Sequence, residues 1–355
     1  MSDFKYVHDF AKKHGMDWKN IINSEKKTNE VLSKINSTFS TSPGNRLFTT
    51  DVDLVVFGSL ARNECTENSD VDWTLLIDGQ SRPEHYSFGH IVRDKLENAE
   101  MQEPGSTGMF GQITFGHDLI NYIGGEDDTN HNISRRILML LESDNIVWTG
   151  SNKGGTAYER ILKGIIKQYF EHDSGYKSDI GSKTKVPRFL LNDIIRFWRT
   201  MCVDFAYKQK EQHGKKWALR NIKLRISRKL IFVKGLLMCI SCYNNDDLKI
   251  EDIEEHLKNM SMLKPLDILI KICTENKVDQ QDLVNLFNSY DEFLGLLNDK
   301  EKRDELTNLE MLEVYNNKVF IESREITNRF QDALNNIFII KDSKIKEFTL
   351  RYGIF

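Results

Sequence analysis

Two short stretches hold residue types from which phosphate chemistry can be built. Ser69-Asp70-Val71-Asp72-Trp73 sets two carboxylates two residues apart. In an extended strand such residues project to the same side, so Asp70 and Asp72 are expected to stand together. Adjacent like charges are costly unless a cation compensates them, and hard oxygen ligands select Mg²⁺ or Mn²⁺. A spacer of ten residues separates this pair from Gly58-Ser59. Glycine there lets the backbone approach a ligand, and Ser59 is placed to cap a helix beginning with Leu60-Ala61-Arg62-Asn63-Glu64. The free N–H groups and positive dipole end of a helix start suit phosphate oxygens, and the serine hydroxyl adds a donor.

The surrounding sequence supplies elements able to position these groups. Val52 to Phe57 is an apolar strand ending at Gly58, and Val71, Trp73, Leu75 and Ile77 mark one buried face of a second strand. Gly111-Gln112-Ile113-Thr114-Phe115 reads as a third, with helices around Phe88 to Ala99 and Ile133 to Glu142. Before this unit, Trp18, Ile21, Ile22, Val31, Leu32 and Ile35 recur at helical intervals. After Gly150 nearly every segment is amphipathic helix. The expected fold is α+β: a small mixed-sheet domain at 46–152, preceded by a helical leader at 1–45 and followed by an all-α domain at 153–355. The stretch at 174–187 is expected to be a loop between helices.

Glycine-serine, a ten-residue spacer and then acid-apolar-acid resembles the signature of the DNA polymerase β nucleotidyltransferase superfamily. The texture of Gly58-Ser59-Leu60-Ala61-Arg62-Asn63-Glu64 followed by Ser69-Asp70-Val71-Asp72 is similar to the uridylyltransferase of bacterial nitrogen signalling and its relatives. This likeness covers roughly residues 50 to 80 and extends more loosely to about 240. It implies that Gly58 and Ser59 hold a triphosphate, Asp70 and Asp72 bind Mg²⁺ (or Mn²⁺), and Arg62 approaches the phosphates. The expected reaction is transfer of a nucleoside monophosphate from a nucleoside triphosphate, ATP among them, to an acceptor hydroxyl, releasing pyrophosphate. Two alternatives are an inactive nucleotide-binding regulatory module and an RNA-directed transferase. The acceptor stays open among protein, RNA and small molecule.

The superfamily uses a third carboxylate from a neighbouring strand. If Gly116-His117 sets the register by resemblance, that position falls near Thr114, which is no acid. Asp118 is the nearest substitute as third catalytic acid, if the chain bends back toward the pair. Asp127 and Asp128 form a runner-up pair, better read as a turn and helix cap. His117 is read as a structural histidine.

Between Lys208 and Lys234 lie ten lysines or arginines against one acid, Glu211, in a chain whose net charge is −4. In related transferases a helical domain closes over the nucleotide, so Arg220, Lys223 and Lys229 are candidate contacts to the triphosphate or an anionic acceptor. Few aromatics interleave with this run, which disfavours single-stranded nucleic acid. The overall charge is too small to select a partner by itself. No apolar stretch is long enough to span a membrane, and the N-terminus lacks a signal peptide's apolar run, so a cytoplasmic location is expected. The five cysteines are thinly spread, and Cys239-x-x-Cys242 lies in an apolar run without a second pair at zinc spacing, which reads as helix packing.

Overall fold

The structure is a computed structural model that describes residues 3–40, 50–67, 69–105, 108–146, 155–171, 185–211, 214, 216–243, 245 and 247–353. Most of the loop expected at 174–187, and most of the boundary expected near residue 150, lie outside these residues.

The β part is a mixed four-stranded sheet in the order β3-β2-β1-β4. Its strands are β1 (Val52–Phe57), β2 (Trp73–Ile77), β3 (Gln112–Phe115) and β4 (Ser143–Ile146). β1 runs antiparallel to β2 and β4, whereas β2 and β3 are parallel, with Thr74 opposite Gln112 and Ile77 opposite Phe115. Alternation gives the sheet two different faces. Val52, Leu54 and Val56 join Val71, Trp73, Leu75 and Ile77 on one. They pack on Ile35 and Phe39 of α2 (Lys19–Ser40) and on Val92 and Leu96 of α4 (Pro83–Asn98).

The opposite face carries Asp53, Phe57, Thr74 and Thr114 beneath α5 (Gly116–Asn121), α6 (Asn130–Leu141) and α7 (Ala157–Glu171). Because both faces are covered, β1 is buried at every position, which explains its nearly unbroken apolar run. Its one acid, Asp53, accepts a hydrogen bond from the Tyr158 backbone N–H at 2.8 Å in the first turn of α7. Gly116 sits where a Cβ would come within 2.5 Å of Ile161, so the bend from β3 into α5 requires glycine.

The backbone forms two compact units that interleave in sequence. The first comprises Met1–Asp3, Glu25–Phe189 and Asn244–Lys264, and so takes in the sheet, α7 and α11 (Ile253–Met262). The second comprises Phe4–Ser24, Leu190–Tyr243 and Pro265–Phe355. It holds α1 (Val7–His14), nearly all of α8 (Arg188–Glu211), α9 (Trp217–Lys223) and α10 (Lys229–Cys242). A π-helical turn, Leu224–Arg228, joins α9 to α10. The unit continues through α12 (Pro265–Glu275), α13 (Gln280–Asn298), α14 (Lys300–Asn308), α15 (Lys318–Asn335) and α16 (Lys344–Phe348).

Side chains of this second unit hold the N-terminal segment. Asp267 accepts the Lys5 and Tyr6 N–H groups at 2.9 and 2.7 Å, and Trp18 stacks on Phe287 at 4.7 Å. Cys239 and Cys242 are fully buried free thiols in α10, as a packing role requires. The observed architecture is thus the expected α+β arrangement, a small mixed sheet followed by a mainly helical remainder.

Candidate nucleotide site at the glycine-serine turn

β1 ends at Phe57, whose N–H donates to the Asp72 carbonyl at 2.8 Å, and the chain then turns into the single helical turn α3 (Gly58–Ala61). Gly58 has φ of +66°, a left-handed conformation that favours glycine. A Cβ built on it would lie 2.6 Å from Asp72 Oδ2. The turn and the second acid are therefore packed directly against each other. The helix begins two residues earlier than the sequence suggests: Phe57 holds the N-cap position and no side chain caps it. The Ser59 hydroxyl is half-buried, with Cys65 Sγ at 3.8 Å.

Asp70 and Asp72 lie in the segment leading into β2 rather than within the strand. That segment is held from both sides, by Val71 N–H donating to Gln102 O at 3.0 Å and by the Phe57–Asp72 bond. Val71 and Trp73 point into the core, so the intervening acids project to the other face. Asp70 is exposed and Asp72 half-buried.

The remaining sequence candidates divide differently. Arg62 does not extend toward a phosphate. Its guanidinium pairs with Glu64 at 2.8 Å and with Glu142, and its side chain is only 11% exposed. The cause is long-range: Glu142 follows α6 and is brought beneath α3 by β4.

Asp118 lies at the other end of the sheet from the acid pair. β2 and β3 are parallel, so Asp72 precedes the start of β2 while Asp118, in α5, follows the end of β3, which lies beside Ile77. The five residues of β2 put roughly 16 Å between those ends at strand rise. Asp118 faces Arg135 electrostatically instead. On the strand itself, Gln112 and Thr114 project toward the face of Thr74. The Thr74 and Thr114 hydroxyls are 2.8 Å apart, and Thr74 also donates to Gln112 O at 2.6 Å. Among the described residues no group of three or more His, Cys, Asp or Glu side chains converges as a metal centre would require.

Asp128 is bound into the core by Arg136, through bonds of 2.9 and 2.8 Å, and by the Gly124 N–H. Burial alone would raise its pKa, but these partners outweigh it and hold the carboxyl below the usual range. Thr129, beside it, is the actual cap of α6. Exposed His117 meets Asn121 at 2.9 Å.

Two residues with a bearing on the site carry no short-range signal. Lys264 donates to the Ala61 carbonyl at 2.9 Å and pairs with Asp144 at 2.6 Å, anchoring the C-terminal end of α3 from 203 positions away. Arg135 lines a recess bounded by Phe57, Thr74 and Thr114.

Arg220, Lys223 and Lys229 belong to the second unit. Lys229 donates to Gln331 of α15, and burial, then Arg225, lowers its pKa. Lys208 is lowered by burial and by Arg228 and Arg220, so these cations from α8, α9 and the π turn are spatial neighbours.

Residues 44–104 match the family model described as a nucleotidyltransferase domain. The matched span contains Gly58, Ser59, Asp70 and Asp72, so the likeness to nucleotidyltransferase domains covers both motifs. No curated protein matches the chain. No helix among the described residues is long and apolar enough to cross a membrane.

Proposed function

We propose that the protein transfers a nucleoside monophosphate from a nucleoside triphosphate to an acceptor oxygen, releasing pyrophosphate, in the manner of the uridylyltransferase-like group that its motif resembles. The observation that carries this reading is the contact between Gly58 and the Asp72 carboxylate, which fuses a phosphate-accepting turn to an acid pair. The family match over both motifs supports it.

Two carboxylates two residues apart beside Gly58 would fit one Mg²⁺, with triphosphate oxygens filling the remaining positions. A bound Mg²⁺ would supply charge neutralisation on the triphosphate and the departing pyrophosphate. In this reading Asp70 and Asp72 hold the ion, and the Ser59 hydroxyl and nearby backbone N–H groups orient the phosphates. Lys264 keeps α3 in place. A second reading, nucleotide binding without transfer, is favoured by Thr114, which is no acid, falling near the position that the resemblance gives the superfamily's third carboxylate.

One experiment separates them. Purified protein is incubated with each α-³²P-labelled nucleoside triphosphate, Mg²⁺ or Mn²⁺ and cell extract, beside an Asp70→Ala/Asp72→Ala variant. Label transferred only by the wild type supports a transferase and reveals whether the acceptor is protein, RNA or small molecule. Nucleotide binding with no transfer from any triphosphate establishes the second reading.

A further inference from the structure

The C-terminal part of α8 is an apolar helix with no fully buried residue. Upstream, Leu190, Leu191, Ile194 and Phe197 enter the core, whereas from Trp198 to Glu211 none does. Trp198, Met201, Cys202 and Phe205 are half-buried along one side, with Trp198 stacked on Phe232 of α10 at 5.5 Å. A second side is apolar as well. Val203, Ala206 and Tyr207 follow the spacing of a stripe that a helix ordinarily buries, yet Val203 is 67% and Tyr207 64% exposed, and Ala206 is exposed beside them.

The turn between α14 and α15 extends this apolar surface. Gln209 Nε2 donates to Met311 Sδ at 3.2 Å, and Met311 faces Ala206 and Lys210 across an open groove. Val314 is buried and anchors the turn, while Leu312 and Tyr315 on either side of it are 91% and 75% exposed. By side-chain size these groups offer on the order of 600 Å² per chain, comparable to the about 800 Å² that each partner gives a standard stable interface. A contiguous apolar patch of that size marks a place of association.

The charges around the patch are divided between its halves. Lys208, Lys210, Arg220 and Arg228 gather on the α8 side, where burial and then Arg228 lower the pKa of Lys208, and Asp204 and Glu211 are the acids among them. Glu310 and Glu313 flank Met311 and Leu312 on the turn. Lys210, Glu310 and Glu313 are exposed and form no ion pair among the described residues. Within one chain the two halves lie side by side and cannot face each other. A two-fold axis brings the helix of each chain onto the turn of the other, so the patch is complementary to itself. Nucleic acid fits it poorly, because the glutamates repel phosphate and the aliphatic floor cannot stack bases.

We propose that this patch is the interface of a symmetric dimer, in which the exposed stripe of α8 in one copy seats against the 309–316 turn of a second copy. Tyr207 and Leu312 form its apolar centre, and Lys210 pairs across the axis with the glutamates of the opposing turn. The interface belongs wholly to the second unit and is independent of the chemistry at Gly58.

The test is sedimentation equilibrium of the full chain, without nucleotide, from about 1 to 100 µM. The wild type should dimerise in that range. Tyr207→Ser combined with Leu312→Ser should raise the dissociation constant at least about 100-fold, since both sit at the centre of the contact. Being exposed, these positions should leave the melting profile of the monomer unchanged. Lys210→Glu should weaken the dimer about tenfold by setting like charges opposite each other, and so should Glu310→Lys with Glu313→Lys. All three charge reversals in one chain should restore most of the lost affinity, a rescue that a purely local effect on either element would not give. A wild type that stays monomeric at about 100 µM overturns the inference. If that monomer binds a fluorescent oligouridylate and the Tyr207→Ser/Leu312→Ser variant does not, the patch belongs to nucleic acid instead. A dimer that survives Tyr207→Ser with Leu312→Ser lies on another surface and overturns it as well, and charge reversals that fail to rescue one another overturn the pairing of helix with turn.

Discussion

The contact between Gly58 and Asp72 makes the site sensitive to a single methyl group. A Cβ at 58 would force the Asp72 carboxylate aside and strain a backbone at φ of +66°. Gly58→Ala should therefore lower kcat/KM by about 100-fold, the scale of losing one preorganised charge-stabilising group. The strain itself costs only about 1–2 kcal/mol. Steady-state kinetics beside urea denaturation measure the two effects separately. Arg62 shows the opposite balance. Held between Glu64 and Glu142, it should destabilise the fold by about 3–5 kcal/mol when replaced by Met, because two buried acids lose their counter-charge. Adding Glu142→Gln should recover part of that loss, which a transition-state role for Arg62 would not predict.

The Asp128–Arg136 pair gives a pH signature at the same scale. The folded-state pKa of Asp128 lies below its ordinary value, so its stabilising contribution is complete above about pH 4 and is lost as pH falls through the lower folded value. Urea midpoints from pH 7 down to 2 should fall more steeply for the wild type than for Asp128→Asn.

Elements explain which parts of the site were legible in advance. The acid pair and the glycine-serine turn are read from spacings of one or two residues, and strand alternation alone puts Val71 and Trp73 inward. Asp118 is three residues past β3, yet only the parallel pairing with β2 reveals that it leaves the sheet at the wrong end. Arg62 sits beside the glycine-serine motif, and its partner Glu142 enters through β4, a strand whose sequence, Ser143-Asp144-Asn145-Ile146, has no apolar alternation. The cap was misread by two residues because Gly58 itself turns the chain into α3.

Lys264 is the element-scale counterpart of these long-range contacts. It holds α3 by its last carbonyl, so Lys264→Met paired with Asp144→Asn, which leaves no unpaired buried charge, should loosen the turn without unfolding the protein. The expected result is a KM for triphosphate raised about tenfold, with the melting temperature within a few degrees of wild type. An unchanged KM would mean that the anchor has no part in nucleotide binding.

At the scale of the whole chain, composition and helical periodicity were sufficient for the α+β architecture, but not for the way its units are assembled. The N-terminal helices looked like a leader because local periodicity says nothing about where an apolar face is buried. Asp267 and Phe287 receive that segment from more than 260 positions away. Likewise, α7 and α11 are helices by sequence and belong with the sheet by contact. A fragment of residues 46–152 contains all four strands and lacks the helix that Asp53 caps and that Gly116 packs against. It should show no cooperative thermal unfolding and should bind a hydrophobic dye.

The close approach of Gly58 to Asp72 also has a genealogical consequence. Two positions that share one atom's worth of space cannot drift independently. In descendants and cousins of this chain, a side chain at residue 58 would displace the Asp72 carboxylate from its present position. A sequence with alanine or serine at the first position should then carry a small or neutral residue at the second, and the paired change would mark a lineage that has abandoned its chemistry and kept its fold.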